Sequence, residues 1–282
     1  MPRTLPHVLP LAALIGLAAP LAAHAQGAAN NHVLRVCADP DYLPFSNSAG
    51  QGFENKVAEV LAKTMGRTLE YHWASYRGKG GFSNFLADNL DAGKCDVVMN
   101  LPYGDNEEGY TNPYYTSSYV FISKTDKNYD ITSMTALTRH PVTIGFEEDT
   151  TPETALQMLD LTQNAVIFHI ADDPTASPEQ LLQAVETGRV GVMITWEPAI
   201  GAFLKNYPDL TVTPVPTEEY GPGLPQVSYT YPMALGVRAK DTEMKTALNA
   251  ALATSKPQIE AILADANVKS YKPPASVNYT NQ

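Results

Sequence analysis

After its first 25 residues the 282-residue chain has no apolar run approaching the roughly 20 residues that a membrane-crossing helix needs. Metal and catalytic frames are missing too. His32, His72, His140 and His169 share no i, i+4 spacing and have no Cys-x-x-Cys companion, so no metal site is expected. Asp39 and Asp41 begin like a calcium loop, but Leu43 and Pro44 break it. Gly78-Lys79-Gly80-Gly81 lacks the frame of a phosphate loop and no Gly-x-Ser-x-Gly elbow occurs, so neither a cofactor nor an enzyme activity is expected. Positive charge is scarce: 19 Lys and Arg stand against 30 Asp and Glu, a net charge of −11. Nucleic acid and anionic lipid would be repelled and a basic protein partner drawn in. The shortage is sharpest between Cys95 and Tyr119, where no lysine or arginine occurs. The acidic pairs Glu147-Glu148 and Asp172-Asp173 read as solvated loops.

What is present begins with an export signal. Arg3 and His7 precede an apolar run, residues 9–22, which closes on Ala23-His24-Ala25, the small-x-small pattern of a signal-peptidase site. Cleavage is expected after Ala25. Pro10, Gly16 and Pro20 interrupt the run, which argues against a membrane anchor and for a soluble exported protein without membrane insertion. Cys37 and Cys95 then sit in an oxidising compartment, where they either form a disulfide or remain as two buried thiols.

Hydrophobic spacing predicts strand 33–38, a rigid turn over 39–45, helix 55–65, strand 69–73, a helix carrying Phe82, Phe85, Leu86 and Leu90, and strand 95–99. The series repeats as strand 142–145, helix 152–161, strand 165–168, helix 179–186 and strand 190–194. Thr150 and Thr151 are placed to cap the first of these helices. This is an α/β chain of two lobes, each a doubly wound parallel sheet with flanking helices. Residues 26–122 plus 231–282 make lobe 1 and 123–230 lobe 2. Segments 119–123 and 231–237 are expected as hinge strands, and helix 242–264 rejoins lobe 1. The crevice between lobes is the expected ligand site.

These elements, with Gly52-Phe53-Glu54-Asn55, Cys95-Asp96-Val97-Val98, Pro113-Tyr114-Tyr115 and Gly188-Arg189-Val190-Gly191-Val192, resemble the two-lobed, type II periplasmic solute-binding proteins that serve amino acids. A narrower resemblance rests on the paired positions Cys37 and Cys95, on Gly52-Phe53-Glu54-Asn55-Lys56, on Trp196-Glu197-Pro198-Ala199-Ile200-Gly201-Ala202-Phe203 and on Gly236-Val237-Arg238. It is to the MxaJ/XoxJ family, solute-binding-like accessory proteins of quinoprotein methanol dehydrogenases. The resemblance implies a periplasmic, non-catalytic partner of a PQQ-dependent methanol dehydrogenase or its cytochrome c, with Cys37 and Cys95 bonded. Glu197 departs from that family's pattern, where glycine is expected. The rival is a transport receptor for an uncharged or aromatic solute.

Amino-acid binders of this type hold the ligand carboxylate with an arginine shortly before the Pro-Tyr-Tyr turn, because a planar guanidinium matches a carboxylate. Here that stretch, 102–110, is acidic and aromatic. Trp196 takes the place of the acid that meets the ligand ammonium, with Glu197 beside it, so both poles of amino-acid recognition are lost or displaced. Asp39 and Tyr42 keep ligand-facing positions, or else cap the turn and pack in the core. Asn100 follows the strand after Cys95, and Leu101 there cannot donate a hydrogen bond. Tyr42, Phe45, Phe82, Tyr103, Tyr110, Trp196 and Tyr229 either line a cleft for a small apolar ligand, dock on protein, or fill the cores; roughly three or four of the seven are expected at the crevice. Thr150 and Thr151 complete the expected cleft.

Overall fold

The structure, a computed structural model, describes residues 32–77, 80–104, 109–217 and 228–274; the expected export signal lies outside them. Strand β1 (Val33–Ala38) is followed by the two-residue strands β2 (Asp41–Tyr42) and β3 (Ser46–Asn47), helix α1 (Phe53–Thr64), strand β4 (Thr68–Trp73), helix α2 (Gly81–Phe85), which continues as a π-helical turn over Leu86–Asp91, and strand β5 (Val97–Pro102). Next come β6 (Gly109–Tyr110), β7 (Tyr115–Lys124), β8 (Ile144–Glu147), α3 (Thr151–Met158), β9 (Val166–Phe168), α4 (Glu179–Glu186), β10 (Val192–Trp196), α5 (Glu197–Ile200), β11 (Leu210–Pro214), β12 (Thr230–Val237) and α6 (Thr242–Asp265). No helix among the described residues is long and apolar enough to cross a membrane.

The α1 start shows how sequence sets local structure. Gly52 lies so close to the preceding turn that a β-carbon there would collide with the Phe45 carbonyl. Asn55 reaches back from the first turn, its Oδ1 accepting from Gly52 N at 3.1 Å and Asn47 N at 3.0 Å, which satisfies a donor the helix leaves open. Phe53, Val57, Ala58 and Leu61 then share the buried face.

The main sheet runs β4-β1-β5-β12-β7-β10-β8-β9, with β11 on β7 and β6 on β12. Strand β1 lies parallel to β4 and β5, and β8 parallel to β10 and β9. Between these parallel trios, β12 runs antiparallel to β5 and β7, and β7 antiparallel to β10. The two expected trios are therefore parallel, but the sheet as a whole is mixed, because β7 and β12 join them antiparallel. The reason lies in the strands that carry the expected hinge segments: β12 pairs with the start of β7, Thr230 opposite Ser118 and Met233 opposite Tyr115, while 119–123 of β7 pairs antiparallel with β10, and so antiparallel strands stand at the centre.

Strand β7 serves both ends of the sheet. Its first residues pair with β12, and its later ones with β10 and β11. Its period-two alternation sends Phe121 into a core with Phe146, Leu156 and Ile194, and Val120 and Ile122 into another with Leu181, Leu182 and Met193. A separate core joins Leu34, Val57, Leu61, Met99 and Leu235 to Leu248 and Ile259 of α6.

Cys37 and Cys95 are bonded, with their Cα atoms 5.5 Å apart, tying β1 to the approach to β5. Beside the bridge Arg35 forks onto Asp96, Nη2 to Oδ1 at 2.7 Å and Nε to Oδ2 at 3.1 Å, and Arg238 Nη2 adds a contact at 3.4 Å. Burial pushes the Asp96 carboxyl up, but the Arg35 hydrogen bonds outweigh it and hold the group below its ordinary range. A Cys37→Ser, Cys95→Ser double variant should lose at most about 4 kcal/mol, since the bridge closes a loop of 58 residues; urea unfolding of the two proteins measures it.

Candidate functional site

A cavity of about 560 Å³ is walled by Tyr42, Glu54, Tyr76, Arg77, Phe82 and Asn100 from one side and by Asp149, Thr151, Asp172 and Trp196 from the other, with Tyr119 of β7 and Tyr231 of β12 between them. The parallel strands deliver these groups at or just beyond their C-terminal ends, where open α/β sheets place their ligands. Tyr42 stacks obliquely on Phe45 at 5.0 Å and meets Tyr76 edge-on at 5.5 Å. Phe82 meets Tyr76 edge-on at 5.6 Å. Trp196 packs against Tyr119 at 5.4 Å and Tyr231 at 6.0 Å, and the Tyr231 hydroxyl lies 2.7 Å from Thr151 Oγ1. Asn100 Oδ1 accepts from the Tyr115 hydroxyl at 2.8 Å.

Arg77, 5% exposed, is consumed by the protein itself. Nη1 donates to Ala176 O at 2.7 Å and Asp173 O at 3.3 Å; Nη2 donates to Pro174 O at 2.6 Å and Asp41 O at 2.5 Å. The guanidinium carbon sits 4.2 Å from the centre of the Tyr42 ring. Its Nε lies 3.5 Å from Asp39 Oδ2, an ion-pair distance that lacks hydrogen-bond alignment. Asp39 is equally occupied, Oδ1 accepting from Asp41 N at 2.9 Å and Oδ2 from Ser75 Oγ at 2.6 Å. This arginine therefore straps the 173–176 segment onto the β2 turn, and has no fork left for a ligand carboxylate.

Two carboxyl groups near the cavity carry raised pKa values. Glu54, 3% exposed, is pushed up to about 8 by desolvation and by the neighbouring Asp39 charge. Glu147, expected in a solvated loop, is on β8 and partly buried; desolvation raises it against the hydrogen bond it accepts from Thr195 Oγ1 at 2.5 Å.

Of the seven aromatic candidates, Tyr42, Phe82 and Trp196 line the cavity. Phe45 packs in the core on Phe53 at 5.4 Å, and Tyr229 is fully buried beside Phe121 and Phe146. Tyr103 and Tyr110 pair with each other at 4.8 Å outside the cavity, Lys245 Nζ standing 5.7 Å from the Tyr110 ring centre. Asp39 sits behind Arg77. Thr150 precedes α3, but its hydroxyl donates to Glu147 O at 2.6 Å instead of capping the helix, so only Thr151 of the two threonines reaches the cavity. Glu197 points elsewhere: as the first residue of α5 it is fully buried, and Oε2 accepts from Ser117 Oγ at 3.2 Å and Lys269 N at 3.3 Å. Desolvation pushes it up to about 7. Asp149, Glu54, Tyr76, Tyr119 and Tyr231 are among the cavity residues that sequence reasoning passed over; the last two lie on segments read only as hinges.

Residues 34–263 match the bacterial extracellular solute-binding proteins, family 3. Protein MoxJ of Methylorubrum extorquens is 30% identical over 248 residues, which cover 83% of this chain and 80% of that one. The chain belongs to the MxaJ/XoxJ family of these proteins. Among solved members of the family, MxaJ from Methlophaga aminisulfidivorans superposes with a TM-score of 0.72 at 26% identity, over 84% of this chain and 100% of its own. The periplasmic binding protein XoxJ from Methylobacterium extorquens gives 0.65 at 26% identity, over 85% and 99%.

Two outcomes follow from the buried charges. Between the ordinary carboxyl value of about 4.5 and about 8, folded Glu54 keeps a proton that the unfolded chain releases, so its contribution to stability falls as pH rises. Glu54→Gln should therefore gain melting temperature relative to the parent across that window, the gain being largest at pH 8 and absent at pH 4, as scanning calorimetry at a series of pH values would record. Arg77→Ala strands the buried Asp39 charge and should cost about 3 to 5 kcal/mol in urea unfolding at pH 7.

Proposed function

We propose that this is a periplasmic accessory protein of a PQQ-dependent methanol dehydrogenase system, which assists assembly or activation of the dehydrogenase by contact with it or with its cytochrome c, and is not itself an enzyme. Family membership supports the setting, and Arg77 carries the argument past it. A receptor for amino acids needs a free cation for the carboxylate, and the cavity's arginine is already bonded to four backbone carbonyls. A ligand carboxylate left unpaired there would cost several kcal/mol, enough to abolish micromolar binding. The reading includes export with cleavage after Ala25. It also takes 26–122 plus 231–282 and 123–230 as two lobes that meet at β7 and β12, which is supported by separate hydrophobic cores on either side of those strands.

The aromatic cavity favours a second reading, a transport receptor for an uncharged or aromatic solute. Purified protein mixed with inactive dehydrogenase separates the two. On the accessory reading the proteins co-elute at low salt, dehydrogenase activity rises, and added salt weakens both effects because the chain is strongly acidic. No complex and no activity change at low salt, together with a large thermal shift from an uncharged aromatic solute, would instead establish the receptor.

A further inference from the structure

Glu54 enters the cavity wall from the first turn of α1, and its Oε1 meets no hydrogen-bond partner among the described residues. The Tyr76 hydroxyl on the same wall is also closed to solvent and unpartnered among them. Buried polar atoms without partners are rare because each forfeits its hydration, so two on one cavity wall point to a group that arrives from outside. Chemistry around them narrows that group. Tyr42, Tyr76, Phe82, Tyr119, Trp196 and Tyr231 present aromatic rings, whose faces carry partial negative charge. Asp149 and Asp172 add carboxylates at exposed positions on the rim. Arg77 is the one basic residue among the described lining, and Asp39 offsets its charge.

We propose that this cavity binds a small organic cation, a protonated or methylated amine, with the Glu54 carboxylate as its counter-ion and the aromatic rings as its cage. Among the described residues an anion would meet three carboxyl groups and no free cation. A neutral solute would offer Glu54 a hydrogen bond at most and no counter-charge. The volume of about 560 Å³ suits a small molecule. The inference stands on the cavity and does not rest on the accessory role.

Binding also moves a proton. Unliganded Glu54 is protonated at neutral pH, so a cation that takes it as counter-ion releases that proton to solvent. The other ionisable groups that interact with Glu54 are Asp39, Tyr42, Tyr71, Tyr76, Tyr114 and Tyr115, and Arg77 shares the cavity wall; desolvation raises all five tyrosines, which stay neutral.

Calorimetric titration of the purified protein with tetramethylammonium, benzylammonium, benzyl alcohol and benzoate tests the proposal. Expected are binding of at least one of the two cations, binding of benzyl alcohol at least about tenfold weaker than of benzylammonium, and no signal from benzoate. Heats at pH 7 should differ between buffers of different ionisation enthalpy, reporting the released proton. Glu54→Gln, near in shape but unable to carry charge, should weaken cation binding at least about tenfold and leave benzyl alcohol unaffected. Should that variant not fold, the comparison of cation with alcohol on the parent protein decides alone. Failure of both cations to bind at millimolar concentration, benzyl alcohol binding as tightly as benzylammonium, or an unaltered Glu54→Gln would overturn the proposal. Stimulation of the dehydrogenase is a separate readout, so either idea can fail without the other.

Discussion

A guanidinium that donates four hydrogen bonds to backbone carbonyls, under a tyrosine ring and beside a buried aspartate, holds the two walls of the cavity together. Desolvating both ions is expensive, and only good geometry with most donors satisfied makes such a pair tolerable in a protein interior. Arg77 meets that condition, with Ser75 and the Asp41 amide completing the aspartate's partners. The consequence is chemical as well as mechanical. Because the fork is occupied by the chain's own carbonyls, Arg77 cannot read a carboxylate, and among the described lining aromatic surface and one buried acid remain as means of recognition.

Strand β7 makes that arrangement geometrically possible. It pairs with β12 at its start and with β10 and β11 further on, so Tyr119 falls where the two pairings exchange. Tyr231 on β12 and Trp196 at the end of β10 reach the same place, and the three rings pack together. A floor built on paired strands is stiffer than one built on loops, so the aromatic geometry is preset before any ligand arrives.

Much of this was readable from local pattern. Helix 179–186 follows from its apolar spacing and matches α4 residue for residue; strands 33–38 and 231–237 appear within a residue of β1 and β12. Strands β6 and β11 were not expected, since two or five residues on the periphery of a sheet carry little periodicity. The site was less readable than the fold. Nothing near Arg77 in sequence announces that its partners lie at Asp173, Pro174 and Ala176, nearly a hundred residues on, because backbone carbonyls have no sequence signature. Trp196 and Glu197 are adjacent, and only the start of α5 decides that the ring faces the cavity while the acid turns to Ser117. Glu54 was visible as part of a motif, yet its burial depends on how closely Gly52 lets α1 approach the turn.

The same burial changes what the formal charge of −11 means. Glu54 at about 8 and Glu197 at about 7 hold protons for much of the time near neutrality, so the interior carries less negative charge than a count of acids suggests. Asp96 stays ionised, but Arg35 and Arg238 offset it. The acidic excess that acts at a distance is therefore a property of exposed carboxylates. Attraction of a basic protein partner and selection of a guest in the cavity are thus carried by different groups. The first is screened by salt over roughly 10 Å, while the second, inside a low-dielectric wall, is largely insensitive to it.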